Sequence, residues 1–208
     1  MFRRRHLFVS LFAASTIAAV TAGCAEDEKA IPRVVFDSSV APGTHGRDCP
    51  EAGGIWFKIG AFGNPALGRE DPNNPESPLK DPPKPVESGD SDPDTSNTVS
   101  ITCNVIPSGA EFDVSATVEL AGSKGGFFQV IGKFKPESGD QPNINVVLSR
   151  GGISYKQANC TARYVLPSQT VAAGRVWAEV TCDDMESGTG TQKICKGTAT
   201  FRLENCAQ

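Results

Sequence analysis

The sequence predicts an all-β fold, an antiparallel β-sandwich of about seven or eight strands, with a small β-barrel as second choice. Apolar and polar residues alternate along several stretches, which is the pattern of strands with one buried face. Segments rich in Gly, Ser, Pro and Asp separate these stretches at near-regular spacing and predict turns. No comparable stretch carries a capped helical stripe of apolar residues.

Five predicted strands show the alternation most clearly, and each has one set of inward-facing residues. These sets are Val99, Ile101, Cys103 and Val105; Phe112, Val114, Ala116, Val118 and Leu120; Ile144, Val146 and Leu148; Val176, Ala178, Val180 and Cys182; and Ala199, Phe201 and Leu203. Turns are predicted between them at 107–109, 122–126, 137–140 and 151–152. Because side chains alternate along a strand, these sets predict the core.

Residues 63–98 differ in composition from the rest. They hold eight of the fifteen prolines and eight acidic residues, with no aromatic residue. Such a stretch buries too little apolar surface to offset the entropy of ordering it. We therefore expect a long, exposed and mobile loop that leaves and rejoins one β domain spanning residues 33–208.

The N-terminus has the features of a signal peptide. Three arginines at 3–5 precede the uncharged run 7–20, which small residues follow. The run is shorter than the roughly 20 residues of a membrane-spanning helix. Residues 1–23 are thus predicted to be removed on export.

Thr21-Ala22-Gly23-Cys24 resembles the lipobox of bacterial lipoproteins. That resemblance implies that Cys24 becomes the lipidated first residue and that residues 24–32 form a short tether. Thr21 departs from the motif, where an aliphatic residue is usual. By the same resemblance Ala25, in place of Asp, implies the outer membrane. Lipidation also accounts for the odd number of cysteines, because the other six can pair.

The remaining six cysteines are predicted to form disulfides, as expected in an exported protein. They are Cys49, Cys103, Cys160, Cys182, Cys195 and Cys206. A hairpin would place Cys160 across from Cys182, with Cys182–Cys195 as the alternative. A regular last strand disfavours Cys195–Cys206, so Cys206 would pair with Cys49 or Cys103. A metal site is disfavoured, because there is no C-x-x-C pair and one histidine, His45, outside the signal.

Charge and motifs argue against several functions. Removal of residues 1–23 leaves 17 basic and 24 acidic residues, a net charge of −7, which disfavours nucleic acid as a partner. His45 lies in a turn-rich segment and is expected to be solvated, so no His-based catalytic device is predicted. Asp90 to Asp94 begins like a calcium loop, but Thr95 and Ile101 break the EF-hand pattern. No cofactor is predicted.

Two tryptophans suggest a binding patch. If Ile55, Phe57 and Ile59 face the core, Trp56 and Lys58 turn outward, because side chains alternate along a strand. We call this rule parity. By parity, Arg175, Trp177 and Glu179 also turn outward, because Val176 and Ala178 face the core. Exposed tryptophans with charged neighbours are typical of surfaces that bind sugars or protein partners. The alternative is that the long loop, or the other edge of the domain, covers both rings.

The GRVWAEVTC strand, the late cysteines and the final Asn205-Cys206 resemble uncharacterised bacterial lipoproteins, a resemblance that implies no activity. We expect a lipid-anchored envelope protein with a non-catalytic binding or scaffolding domain. The alternatives are a carboxylate-dependent envelope hydrolase, whose acid would need an apolar pocket, and an inhibitor or accessory subunit of an envelope enzyme.

Overall fold

The computed structural model describes residues 30–51, 53–122, 125–188 and 192–208. The predicted signal peptide, Cys24 and the tether up to residue 29 lie outside the described residues. Within the described part of the chain, no helix is long and apolar enough to cross a membrane.

The described chain is all-β and antiparallel, as predicted. Its strands are β1 (Arg33–Ala41), β2 (Phe57–Ile59), β3 (Val86–Glu87), β4 (Val99–Ser108), β5 (Glu111–Leu120), β6 (Gly126–Phe134), β7 (Gln141–Arg150), β8 (Ile153–Arg163), β9 (Thr170–Ala172), β10 (Arg175–Ser187) and β11 (Ile194–Glu204). Eight of these strands have nine or more residues, in line with the predicted number.

The strands form one curled sheet in the order β2-β1-β11-β10-β8-β7-β6-β5-β4, a half-barrel, while β3 pairs with β1 and β9 with β10. The edge strand β4 is partly covered. Val105 donates its amide to the carbonyl of Ala207, at 2.9 Å, and accepts from the amide of Gly174, at 3.1 Å. Covering an edge in this way removes a template for pairing with other chains.

The core lies on the concave side of the sheet and follows the predicted alternation. All the inward residues predicted for the five clearest strands are buried except Phe112, which is partly buried against the core. At its centre, the ring of Phe128 lies 4.4 Å from that of Phe36 and 5.4 Å from that of Phe201, measured between centroids. The five predicted inward faces are therefore confirmed.

Three disulfides join distant parts of the sheet. Cys160–Cys182 links β8 to β10, as the hairpin argument predicted, and Cys103–Cys206 is one of the two predicted pairings for Cys206. The third, Cys49–Cys195, ties the connection between β1 and β2 to the start of β11. Cys103–Cys206 joins the edge strand β4 to the chain just beyond β11 and so holds the two sides of the curl together.

Residues 61–98, which are the predicted loop together with Ala61 and Phe62 before it, form a hydrogen-bonded excursion from the sheet. Its two arms pair through isolated bridges from Ala61 to Lys84 and from Arg69 to Leu79. Most of its side chains are exposed, as predicted, but Val86 and Asp92 are buried. The excursion thus has an internal framework and lies against the sheet, where composition alone predicted an unpacked loop.

Candidate functional site: an aromatic groove on the outer face of β10 and β11

The outer face of β10 carries three of the predicted patch residues. Arg175, Trp177 and Glu179 alternate with the buried Val176, Ala178 and Val180. On the neighbouring strand β11, Arg202 is the register partner of Trp177 and Thr200 that of Glu179. Trp177 therefore lies on the polar face of its strand, as parity predicted, and Arg202 stands beside it.

The excursion covers part of this outer face. The ring of Phe62 lies 6.1 Å from that of Trp177, centroid to centroid, and the two planes differ by 13°. Asn64 donates its amide to the carbonyl of Asp81, at 3.0 Å, which holds the two arms together behind Phe62. Gly63 permits this close pairing for two reasons. Its φ is positive, at 70°, which glycine adopts readily, and a Cβ on this residue would lie 2.4 Å from the carbonyl oxygen of Asp81.

Between the excursion and the sheet runs a groove of 330 Å³, which we call the Trp177 groove. It is lined by Phe62, Gly63, Pro65, Leu79, Pro83, Leu166, Ser168, Trp177, Thr200 and Arg202. Most of these residues are apolar, and the guanidinium of Arg202 lies 5.3 Å from the centre of the Trp177 ring. Within the described chain, the buried indole Nε1 of Trp177 has no hydrogen-bond partner.

One carboxylate fixes the position of Arg202. Arg202 donates from Nε and Nη2 to Oε1 of Glu204, at 3.0 and 2.6 Å, and Arg33 donates to Oε2 at 2.7 Å. Burial opposes ionisation of Glu204, but the hydrogen bonds and charges of Arg202 and Arg33 hold its pKa below the usual value. Glu204 is therefore ionised at neutral pH and keeps the guanidinium of Arg202 over Trp177.

Part of the outer face of β1 is also covered. Val35 lies on β1 opposite Arg202, on the outer face of the sheet, yet it is fully buried. Its neighbours Val34 and Phe36 are buried on the inner face. β1 is thus covered on both faces at this position, and the excursion makes one wall of the Trp177 groove.

The prediction that Trp56 faces outward is wrong. Its side chain is 9% exposed and packs edge-on against the ring of Tyr155, with centroids 5.8 Å apart, while Ile55 is 64% exposed. The physical reason is that β2 begins at Phe57, so the alternation of a strand does not reach residues 55 and 56. Trp56 also donates from Nε1 to Glu51, at 3.1 Å.

The remaining patch residues are only partly brought together. Lys58 faces outward on β2 and forms an ion pair of 3.2 Å with Asp94, and its register partner is Asp37. Burial raises the pKa of the Asp37 carboxyl, although the charge of Lys58 opposes the shift. In the register Asp37 is opposite Thr200, which is opposite Glu179. Lys58 thus shares a row with Glu179, but two strands, β1 and β11, separate the two residues.

The other sequence candidates have structural roles. His45 is exposed, and its Nδ1 lies 3.2 Å from Asp184. Asp92 is buried and accepts hydrogen bonds from the amides of Gly60, Asp94 and Thr95, so its oxygens hold the excursion to the sheet. Within the described ranges, no group of three or more acidic, His or Cys side chains is arranged to hold a metal ion.

Sequence reasoning missed Phe62, Arg202 and Glu204. The alternation along β11, in which Phe201 and Leu203 face the core, predicts that Arg202 and Glu204 face outward. Nothing in the sequence indicated that Phe62 would meet Trp177. No protein family, curated protein or solved structure compared with the chain matches it.

Proposed function

We propose that this chain is a lipid-anchored cell-envelope protein, held in the outer membrane through Cys24, whose β domain binds a protein partner in the Trp177 groove without catalysis. The observation that carries the proposal is the groove itself, an apolar slot on a polar strand face, with Trp177 in its floor and Phe62 in one wall. Aromatic residues in such slots supply much of the binding energy at protein interfaces. The three disulfides support an oxidising location.

A protein partner fits the lining better than a sugar does. Sugar recognition needs several hydrogen-bonding groups beside a stacking ring, whereas Ser168, Thr200 and Arg202 are the polar residues that line this groove. Glu204 already occupies the Nε and Nη2 donors of Arg202. The groove therefore offers mainly apolar contact, which suits apolar side chains of a partner.

Carboxylate catalysis has little support from the site. A general acid needs a raised pKa, but Glu204, which holds the groove residue Arg202, has a lowered one. The pKa of the Asp37 carboxyl is raised, but Asp37 is not among the residues that line the groove. The buried Asp92 is engaged by backbone amides. Because the carboxylates of Glu204 and Asp92 already accept hydrogen bonds from other protein groups, the site favours binding over hydrolysis.

The groove can be tested with the apolar, singly charged dye 8-anilinonaphthalene-1-sulfonate. We expect saturable binding with energy transfer from Trp177, and about tenfold weaker binding in Ser168→Phe, where the new ring fills the groove. Ser115→Phe is the matched control, because it adds the same ring to an exposed serine of β5. Equal dye binding by both variants and the parent would refute the groove as a binding site.

The anchor is tested separately with Cys24→Ser. We expect the parent in the membrane fraction and the variant outside it, because the acyl chains supply the affinity for the bilayer. Mass spectrometry of the parent N-terminal peptide should show a diacylglyceryl group on Cys24. A parent protein that is exported without the lipid would disprove the anchor.

A further inference from the structure

The described chain begins at the end of the sheet where β11 finishes. Ile31 is tied there by Asn205, which donates from Nδ2 to its carbonyl at 2.9 Å, and Arg33 is opposite Glu204. β1 and β10 start at this end, while β8 and β11 finish there. We call this the anchor end, formed by residues 30–33, 106–111, 135–140, 164–169, 173–175 and 205–208.

The anchor end carries exposed apolar side chains. Of the eight large hydrophobic residues exposed in the described part of the chain, four lie here: Ile31, Ile106, Val165 and Leu166, each between 43% and 58% exposed. Ile106 follows Val105, whose backbone bonds to Gly174 and Ala207, so it lies beside the C-terminal residues. The four residues belong to three separate segments that converge at one end.

The apolar pair Val165 and Leu166 is presented by a fixed turn. The buried side chain of Gln169 accepts hydrogen bonds from the amides of both residues, that of Leu166 at 2.9 Å. The amide of Gln169 in turn donates to the carbonyl of Leu166, also at 2.9 Å. Because the turn is already ordered, contact through these side chains costs little further conformational entropy.

The length of chain before Ala30 limits which end can face the bilayer. Six residue steps separate Cys24 from Ala30, and fully extended they span about 20 Å. A ten-residue strand such as β5 is about 33 Å long, and about 25 Å high if tilted by about 40°. A lipid on Cys24 therefore cannot reach a bilayer that touches the opposite end of the sheet.

Ion pairs leave little positive charge to attract anionic lipid. At or near the anchor end, Arg33 is paired with Glu204, Arg163 with Asp140, Lys133 with Asp113 and Lys135 with Glu111. Among the described residues, Arg175 has no carboxylate within 4.0 Å of its side chain. A single cation near an anionic membrane contributes only about 1 kcal/mol to the free energy of membrane binding. The surface therefore favours apolar contact over electrostatic attraction.

We propose that the anchor end is a membrane-docking surface, in which Val165 and Leu166, flanked by Ile31 and Ile106, rest in the headgroup region of a zwitterionic bilayer. The proposal rests on the lipid anchor at Cys24. Docking places the mouth of the Trp177 groove, where Leu166 is one wall, close to the membrane surface. A partner in the groove would then be one that is itself at the membrane.

The test uses the full lipidated protein in vesicles of phosphatidylcholine and phosphatidylethanolamine. A nitrobenzoxadiazole dye is attached at Leu166→Cys and, as the matched control, at Ile153→Cys, which is similarly exposed at the opposite end. We expect emission at position 166 to rise about twofold and shift to the blue on reconstitution, and spin-labelled lipid to quench it. Emission at position 153 should not change, and added salt should leave both results unaltered.

Two outcomes would overturn the proposal, and they are distinguishable. If the protein floats with the vesicles but the dye at 166 stays in water, the anchor stands and docking is wrong. If the protein does not float at all, the lipid anchor has failed and docking fails with it. Ile31→Ser with Val165→Ser provides a second measurement: these exposed side chains, which do not line the Trp177 groove, should leave the urea midpoint unchanged, yet abolish quenching of Trp177 by spin-labelled lipid.

Discussion

Replacing Trp56 with alanine is expected to lower the free energy of unfolding by about 3–5 kcal/mol, the usual cost of truncating a buried tryptophan. The ring packs against Tyr155, and its Nε1 donates to Glu51. Glu51 also accepts from the hydroxyl of Tyr155, at 3.3 Å. Burial, then the charge and hydrogen bond of Glu51, raise the pKa of Tyr155 to about 12. The truncation removes one side of this packed group.

The neighbouring Ile55 gives a matched control, because it is the residue that parity wrongly placed in the core. Ile55→Ala should change the free energy of unfolding by no more than about 0.5 kcal/mol, since its side chain is exposed. Urea unfolding followed by circular dichroism measures both values. A small loss for Trp56→Ala and a large one for Ile55→Ala would mean that Trp56 lies outside the core and that the alternation does extend to residue 55.

Parity was a reliable guide wherever a long strand has one buried face. Along β5, for example, Val114, Ala116 and Val118 are buried while Asp113, Ser115 and Glu119 are exposed. The pairing of Cys160 with Cys182 follows from the same rule, because both side chains face inward from neighbouring strands. A period of two is a local property, so it can be read without knowing the rest of the fold.

The sequence could not predict what depends on contacts between distant segments. Val35 is buried on the outer face of β1, and Phe62 stacks on Trp177 because the excursion folds back over the sheet. The eight prolines of that excursion carry no periodicity from which such a contact could be inferred. Cys49 likewise lies in an irregular segment outside any strand. No strand register therefore relates it to Cys195, and their pairing could not be derived from the sequence.

The Trp177 groove therefore combines a predictable part with an unpredictable one. Its floor, Trp177 and Arg202, follows from the alternation of β10 and β11, whereas its walls come from the excursion and from Leu166. Composition correctly indicated that residues 63–98 contribute little to the core. It could not indicate that a segment with few apolar residues uses Pro65, Leu79 and Pro83 to shape a groove.

Removing the Cys103–Cys206 bridge, with Cys103→Ala and Cys206→Ala together, should lower the free energy of unfolding by about 4 kcal/mol. The two residues are 103 apart in sequence, so the bridge restricts a large part of the unfolded chain. In the folded state it joins β4 to the chain beyond β11. Without it, that seam depends on hydrogen bonds such as those of 2.9 Å from Val105 to Ala207 and from Ala207 to Cys103.

The double variant Cys160→Ala, Cys182→Ala is the control within the same protein. Its bridge closes only 22 residues, and its loss should cost about 3 kcal/mol, because the entropy that a bridge removes grows with the logarithm of the loop. Urea unfolding should therefore give the lower midpoint for the Cys103 and Cys206 variant. That variant should also show the larger rise in m-value, since its unfolded chain expands more. The reverse order would show that the stability of the curl does not depend on closing the seam beside β4, and that the hydrogen bonds there hold the two sides together without a covalent link.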